Sequence, residues 1–418
     1  MTDTNSVNTL VGNFKEIYGT DIKDLAPNTL KLTRRIGYEY AEALGNKYHQ
    51  PVDLSMEHGV TYAAAGAANI TLLDPVAGQM EDAQVNGAQV FARSRVDYES
   101  IYKANQAGKK AFAQATQHIV KRLTRAASKR LEISTLHGRR GIGTLGTVTG
   151  SGTTRTWVIS AASWAAGIWG GSKNMTLDVF AANYTGTKVN ANAKVVVTAV
   201  DIATRTITVS GNATDLTAIV AGMQIFPETA SPTNEFAGID AIVRNTGTLF
   251  NIDAAAYELW KGHVVGSVGR ISMSSVLQGV ARAVEMGLED DVLCVVSPKA
   301  FEVLNDDVAA LRRYDDSYEV KEGVNGVENI RYHGQSGTVE IMPHLFQKDG
   351  QAHIIPPSQW KRIGATDLTF ITRGANGEEK LILELPNSPS SEMRCYFNGA
   401  YFCEAPAHSV VLDGITYT

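Results

Sequence analysis

Three cysteines, nine histidines and several short acidic runs are the groups in this 418-residue chain that could carry catalysis or hold a metal. Cys294, Cys395 and Cys403 form no C-x-x-C pair and no zinc-ligand spacing, so neither a disulfide framework nor a structural metal is signalled. Cys395 and Cys403 share strand parity, with no histidine placed beside either, and are expected to be buried thiols acting as small hydrophobes. The histidines are scattered. No H-E-x-x-H, G-x-x-x-x-G-K-[ST] or G-x-S-x-G sequence occurs. Glu289-Asp290-Asp291, Asp306-Asp307 and Asp315-Asp316 lack the spacing of a calcium loop and read as caps or solvated groups. Gly141-Ile142-Gly143-Thr144-Leu145-Gly146 matches G-x-G-x-x-G in letters, but a dinucleotide fingerprint needs a strand before it and a helix after it. Here a helical pattern precedes and Thr/Gly/Ser-rich chain follows. The chain is therefore expected to be no enzyme and to hold no catalytic, cofactor or metal site.

One charged constellation remains. Lys121, Arg122, Arg125, Lys129 and Arg130 cluster, and Arg122, Arg125 and Lys129, spaced three and four apart, share a stripe if the segment is helical. A solvated face and a face turned to DNA or acidic neighbours both fit. The formal net charge of −5 excludes a chain that grips nucleic acid over its whole surface.

The stripe needs a helix beneath it. From about 102 to 137 there is no proline, and Phe112, Ile119, Leu123, Ala126, Ala127 and Leu131 recur at helical spacing, predicting a rod roughly 50 Å long. Gly138 is read as its stop. Ahead of it, Phe14, Ile17 and Tyr18, a break at Pro27, and then Leu30, Leu32, Ile36, Tyr40 and Leu44 predict two short helices in an arm. From 48 to 102 the period becomes two: Val52, Leu54 and Met56 on one side of a Gly/Ala-rich middle, Val90, Ala92, Val96 and Tyr98 on the other. A two-stranded hairpin is marginal alone in water, so it packs on a neighbouring chain or on its own domain. Beyond 138, strands are predicted at 194–200, 205–210 and 223–226. A helix over 272–286, closed by Gly287, shows its apolar face in Val276, Leu277, Val280 and Val284. The buried-strand run 292–296 is followed by a helix start at Ser297-Pro298. Further strands are expected at 338–342, 352–355, 368–372, 380–385, 393–403 and 409–412. The opening Met1-Thr2-Asp3-Thr4 has no signal pattern, and no apolar run reaches about 18 residues, so neither standard secretion nor membrane spanning is expected.

This order of parts resembles the major capsid proteins of tailed bacteriophages, the Hong Kong 97 type fold. The local matches are Val292-Leu293-Cys294-Val295-Val296-Ser297-Pro298-Lys299-Ala300-Phe301 with Val303-Leu304, the ending Tyr396-Phe397-Asn398-Gly399-Ala400-Tyr401 with Pro406, and the start Val11-Gly12-Asn13-Phe14-Lys15-Glu16-Ile17-Tyr18. The resemblance implies an α+β fold with an N-terminal arm (1–47), an E-loop hairpin (48–102), a spine helix of the peripheral domain (103–138) and an axial domain in two parts (139–184 and 230–390). A β-rich insertion (185–229) and C-terminal return strands (391–418) complete it. It also implies a self-assembling subunit of pentamers and hexamers in an icosahedral head around double-stranded DNA, with scaffold, portal and decoration proteins as further partners and assembly in the host cytoplasm. Val52, Leu54, Val90 and Val96 become the expected inter-subunit contacts, and Arg122, Arg125 and Lys129 the expected DNA-facing residues. Some members weld their shells through an E-loop lysine. From 48 to 102 there is none, so the shell is expected to be noncovalent. An encapsulin-like nanocompartment shell and an unrecognised enzyme are the alternatives.

Overall fold

The computed structural model describes residues 30–40, 47–97, 109–181, 184, 187–312, 330–335, 337–369, 372–373, 379–380, 383–384 and 390–417. The expected helix at 14–18 lies outside them, as does Asp315-Asp316.

Val292–Val296 is apolar throughout and buried at every position, as a strand covered on both faces must be. It is central in a six-stranded sheet ordered His263–Val265, Val410–Asp413, Gln351–Ile355, Val292–Val296, Thr338–Pro343, Ile330–His333. Met273–Glu285 and Pro298–Arg312 pack on this sheet, most of which lies in the stretch expected to be axial, with Val276, Val280 and Leu304 in one core with Cys294, Ile341 and Leu412. Both helices begin as their sequences predict. Ser272 and Ser275 form a reciprocal capping box, and the Ser297 hydroxyl accepts the Ala300 N–H at 3.2 Å, satisfying donors that a first turn leaves open. Gly287, at φ +99°, ends the first of them.

A second sheet is built on Ser390–Cys403, a strand flanked by Trp360–Thr369 and by Ala88–Asp97. Tyr38–Tyr40 adds a parallel edge. The helix Lys109–His137 lies on this sheet through Leu123 and Ala127 against Met393 and Cys395. The first residues of the predicted rod, 102–108, lie outside the described chain.

Three expectations are corrected. The hairpin strands are Tyr48–Asp53 and Met80–Val85; Ala88–Asp97, carrying Val90 and Val96, pairs instead with the C-terminal strand. Both runs alternate, and alternation identifies a strand without identifying its partner. Leu30 to Tyr40 is not helical: one turn is followed by the strand Tyr38–Tyr40, because Arg362 and its strand offer the segment a ladder.

The β-rich block is larger than 185–229. Gly143–Ser151, Thr154–Ile159, Thr176–Phe180, Val195–Asp201, Thr206–Ser210 and Gln224–Pro227 close into one six-stranded barrel. Its core includes Leu145, Trp157, Ile159, Leu177, Val179, Val197, Ile207 and Val209, all buried. The first two strands are so rich in Gly, Ser and Thr that their apolar parity is carried by a few residues. The G-x-G-x-x-G stretch runs into the first of these strands, not a helix.

The rod ends at His137, directly before Gly138, as expected; the left-handed residue that follows is Arg139, at φ 66°. Gly138 is required by closeness. A Cβ there would lie 2.5 Å from the Phe236 carbonyl oxygen and 3.0 Å from the Gly238 nitrogen. Both are backbone atoms that cannot swing aside. Gly138→Ala is expected to destabilise the fold by about 1–3 kcal/mol, the usual range for overpacking, measured by thermal or denaturant unfolding.

Candidate assembly interface

The hairpin has a firm base and an uncovered end. At the base Leu54, Ala83 and Val85 are buried, and Tyr48 meets Phe402 edge-on at 6.0 Å. The Gln84 N–H donates to the Phe250 carbonyl at 2.8 Å, and the Tyr257 hydroxyl donates to Gln79 at 3.0 Å. Further out, the two halves hold each other by backbone bonds. Leu54 N–H donates to Gln79 O at 2.9 Å, His58 and Val76 exchange bonds of 2.9 and 2.6 Å, and Leu73 N–H donates to the Thr61 hydroxyl at 3.0 Å.

These bonds fix the course of the chain and leave its side chains outside. Within 55–80 every residue is exposed except Thr61 and Gly78, which are half-buried. Met56, Val60, Tyr62, Ile70, Leu72, Leu73, Val76 and Met80 are among them, Tyr62 at 93% and Met56 at 81% exposure. Other exposed large apolar side chains of the described residues, such as Phe91, Ile202 and Val264, are scattered over the body. A concentration of this kind marks a contact surface. The stretch has no Lys or Arg; Glu57 and Asp74 are its acidic residues.

The residues expected to make inter-subunit contacts serve mainly the chain's own core. Leu54 is buried, and Val52 and Val90 pack half-buried against the central cluster. Val96 pairs in register with Ser391 of the same chain. The uncovered residues stand between the periodic runs, in a segment where no period directs attention to them. Their signal was composition: Tyr62, Ile70, Leu72, Leu73 and Val76 interrupting a Gly/Ala tract.

The basic stripe is likewise divided. Arg122 and Arg125 are exposed on the rod. Lys129 turns inward, donating to the Gly170 carbonyl at 3.0 Å and lying 5.6 Å from the centre of the Phe346 ring, so it does not share the exposed face of Arg122 and Arg125. Burial, with Arg130 beside it, lowers its ammonium to about 8.

Below the rod's end lies a polar junction with no sequence signature. Asp240, buried, accepts from Arg140 Nε at 3.1 Å and Arg244 Nε at 2.7 Å and lies 3.3 Å from His353 Nε2. Burial alone would raise its carboxyl, yet His353, Arg244 and Arg140 hold it well below the ordinary range. Arg244 continues to Asp413 at 2.7 Å, and Lys348 donates to the Gly141 carbonyl at 2.9 Å. These contacts lock barrel entry, rod end and axial sheet together. The acidic runs have structural work: Asp290 accepts from Ser358 and Gln359, Asp291 from the Thr338 N–H, and Asp307 from the Met273 N–H. All three thiols are buried; burial pushes Cys294 and Cys403 up to about 12 and Cys395 to about 11, the opposite of an activated nucleophile. Among the described residues no three His, Cys, Asp or Glu side chains converge as a metal site, and no helix is long and apolar enough to cross a membrane.

No family model and no curated protein matches this sequence. The fold does match solved structures over nearly the whole chain. The capsid asymmetric unit of cyanophage A-1(L) aligns with a TM-score of 0.57 at 10% identity, covering 99% of this chain and 100% of that one. The capsid of the native GTA particle aligns at 0.51 with 11% identity, covering 99% of each. The capsid of the empty GTA particle aligns at 0.50 with 10% identity, again covering 99% of each. The chain has the phage-capsid fold.

The inward turn of Lys129 is checked by its pH signature. The unfolded chain keeps this proton to about pH 10.5, its unshifted value, while the folded chain releases it near 8. The folded state is penalised fully below pH 8, and the penalty is relieved as pH climbs toward 10.5. The unfolding free energy of Lys129→Met minus that of the parent should therefore fall across this window in denaturant titrations. A difference independent of pH would mean that Lys129 is solvated.

Proposed function

We propose that the chain is the major capsid protein of a tailed phage, a subunit that assembles through pentamers and hexamers into an icosahedral head enclosing double-stranded DNA. The observation that carries this reading is the uncovered apolar arm at 55–80 on a chain with the phage-capsid fold. Different faces of each copy meet, so the contacts are heterologous and close into rings. The arm laps over the next subunit, which supplies the burial that its own chain denies it. Arg122 and Arg125 face the packaged DNA as a sequence-independent counter-charge. With no lysine between 48 and 102, the shell is held noncovalently. The barrel offers a surface for decoration proteins, scaffold and portal proteins act in the host cytoplasm, and the product is the virion.

Light scattering and electron microscopy of the purified chain should reveal large closed particles; a small soluble oligomer under all conditions would overturn the proposal. Leu72→Asp with Leu73→Asp removes two side chains each contributing about 1.5–3 kcal/mol when fully buried. Particle yield should fall at least about tenfold, while subunit stability shifts by no more than about 0.5 kcal/mol. Val90→Asp, on a residue packed into the subunit's own core, should instead lower the melting temperature. Arg122→Glu with Arg125→Glu should leave particles intact and reduce the DNA they retain, read from the ratio of absorbance at 260 to that at 280 nm.

A further inference from the structure

Three parts of the chain, far apart in sequence, converge on one carboxylate. Glu132, on the rod, is fully buried. Its Oε1 accepts from the Leu32 N–H at 2.8 Å and lies 2.9 Å from His344 Nε2. Its Oε2 accepts from the Thr33 N–H at 3.1 Å and from the Thr33 hydroxyl. His344, also fully buried, receives the Phe346 N–H on Nδ1 at 3.2 Å. That nitrogen must be the acceptor, so the ring hydrogen sits on Nε2 and points at Glu132.

Leu32 and Thr33 open a single helical turn, in which Arg34 N–H bonds to Leu30 O and Ile36 N–H to Leu32 O. The first N–H groups of a turn have no partner within it, and here the rod's carboxylate supplies one. The segment then runs as a strap. Arg35 forms two bonds to Glu340 at 2.8 and 2.6 Å. Arg362 donates to the Gly37 carbonyl through its backbone N–H at 2.9 Å and to the Ile36 carbonyl through Nε at 3.0 Å, and Tyr38–Tyr40 pairs with the strand Trp360–Thr369.

We propose that Glu132 is a latch that couples docking of this strap to seating of the axial sheet on the rod. A buried carboxylate is tolerated only with its acceptor sites filled. Two donors come from the strap's backbone, one from its Thr33 hydroxyl and one from His344, so losing either side leaves the charge short of donors and weakens its hold on the other. The coupling is reciprocal by linkage. Resting on the shell reading, this gives the latch its role: docking of the strap reports how the axial sheet is seated on the rod in a subunit that must fit rings of five and of six.

Hydrogen exchange on the full-length chain, before and after assembly, tests this. His344→Leu should speed exchange of the strap amides at 32–36 at least about tenfold, although among the described residues no hydrogen bond joins His344 to the strap. His344→Gln, whose amide can donate, should restore slow exchange. From the other side, Thr33→Val, nearly isosteric on a half-buried residue, should speed exchange of the Phe346 amide, and it decides the matter if His344→Leu fails to fold. Exchange that rises only in the element carrying the substitution would overturn the latch. Failure to form particles with the coupling intact would overturn the shell reading and leave the latch standing.

Discussion

Two strands that pair with each other satisfy their hydrogen bonds but enclose nothing. Along 55–80 the backbone is tied across from His58 to Val76 and from Leu73 to Thr61, and among the described residues no second layer lies over Tyr62, Leu72 or Leu73, all exposed. Roughly 25 cal/mol is forgone for each Å² of apolar surface left in water. The described chain supplies a mount at the ribbon's root: buried Leu54 and Val85, the Phe402 ring behind Tyr48, and the loop at Phe250 beside its second strand. A rigid mount lowers the ordering cost of any contact a ribbon makes.

The mount is rigid partly because charge is buried in it. Asp240 with its two arginines, where the rod's end meets the six-stranded sheet, and Glu132 with its four donors, where the rod meets the strap and His344, are filled acceptor sites. Replacing such groups by apolar ones can leave stability unchanged, but removing a single partner is costly. Bodies joined this way have one preferred arrangement, because sliding would strip donors from a carboxylate that water cannot reach.

What was legible in the sequence follows the range of the interaction that writes it. The helix Met273–Glu285 and the strand Val292–Val296 are local patterns with caps at their ends, and both appear where their residues place them. Strand pairing is non-local. Ala88–Asp97 reads as a strand, but its choice of Ser390–Cys403 over its near neighbours depends on residues 300 positions away. The barrel's opening strands were hidden because threonine and glycine mark the outer face and leave Leu145, Trp157 and Ile159 to carry the inner one. Of the candidate site residues, Arg122 and Arg125 lie on an exposed face, while Lys129, one turn on, is drawn under by the Gly170 carbonyl. Helical spacing cannot foresee that capture.

The barrel begins and ends side by side: Thr144 and Gly143 face Gln224 and Ile225 across one strand pair. A closed ring of strands also presents no free ladder along its length. The module is therefore a cassette whose two attachment points lie about 5 Å apart, the width of one strand pairing. The barrel can therefore be lengthened, exchanged or lost without moving the strands and helices on either side of its two attachment points.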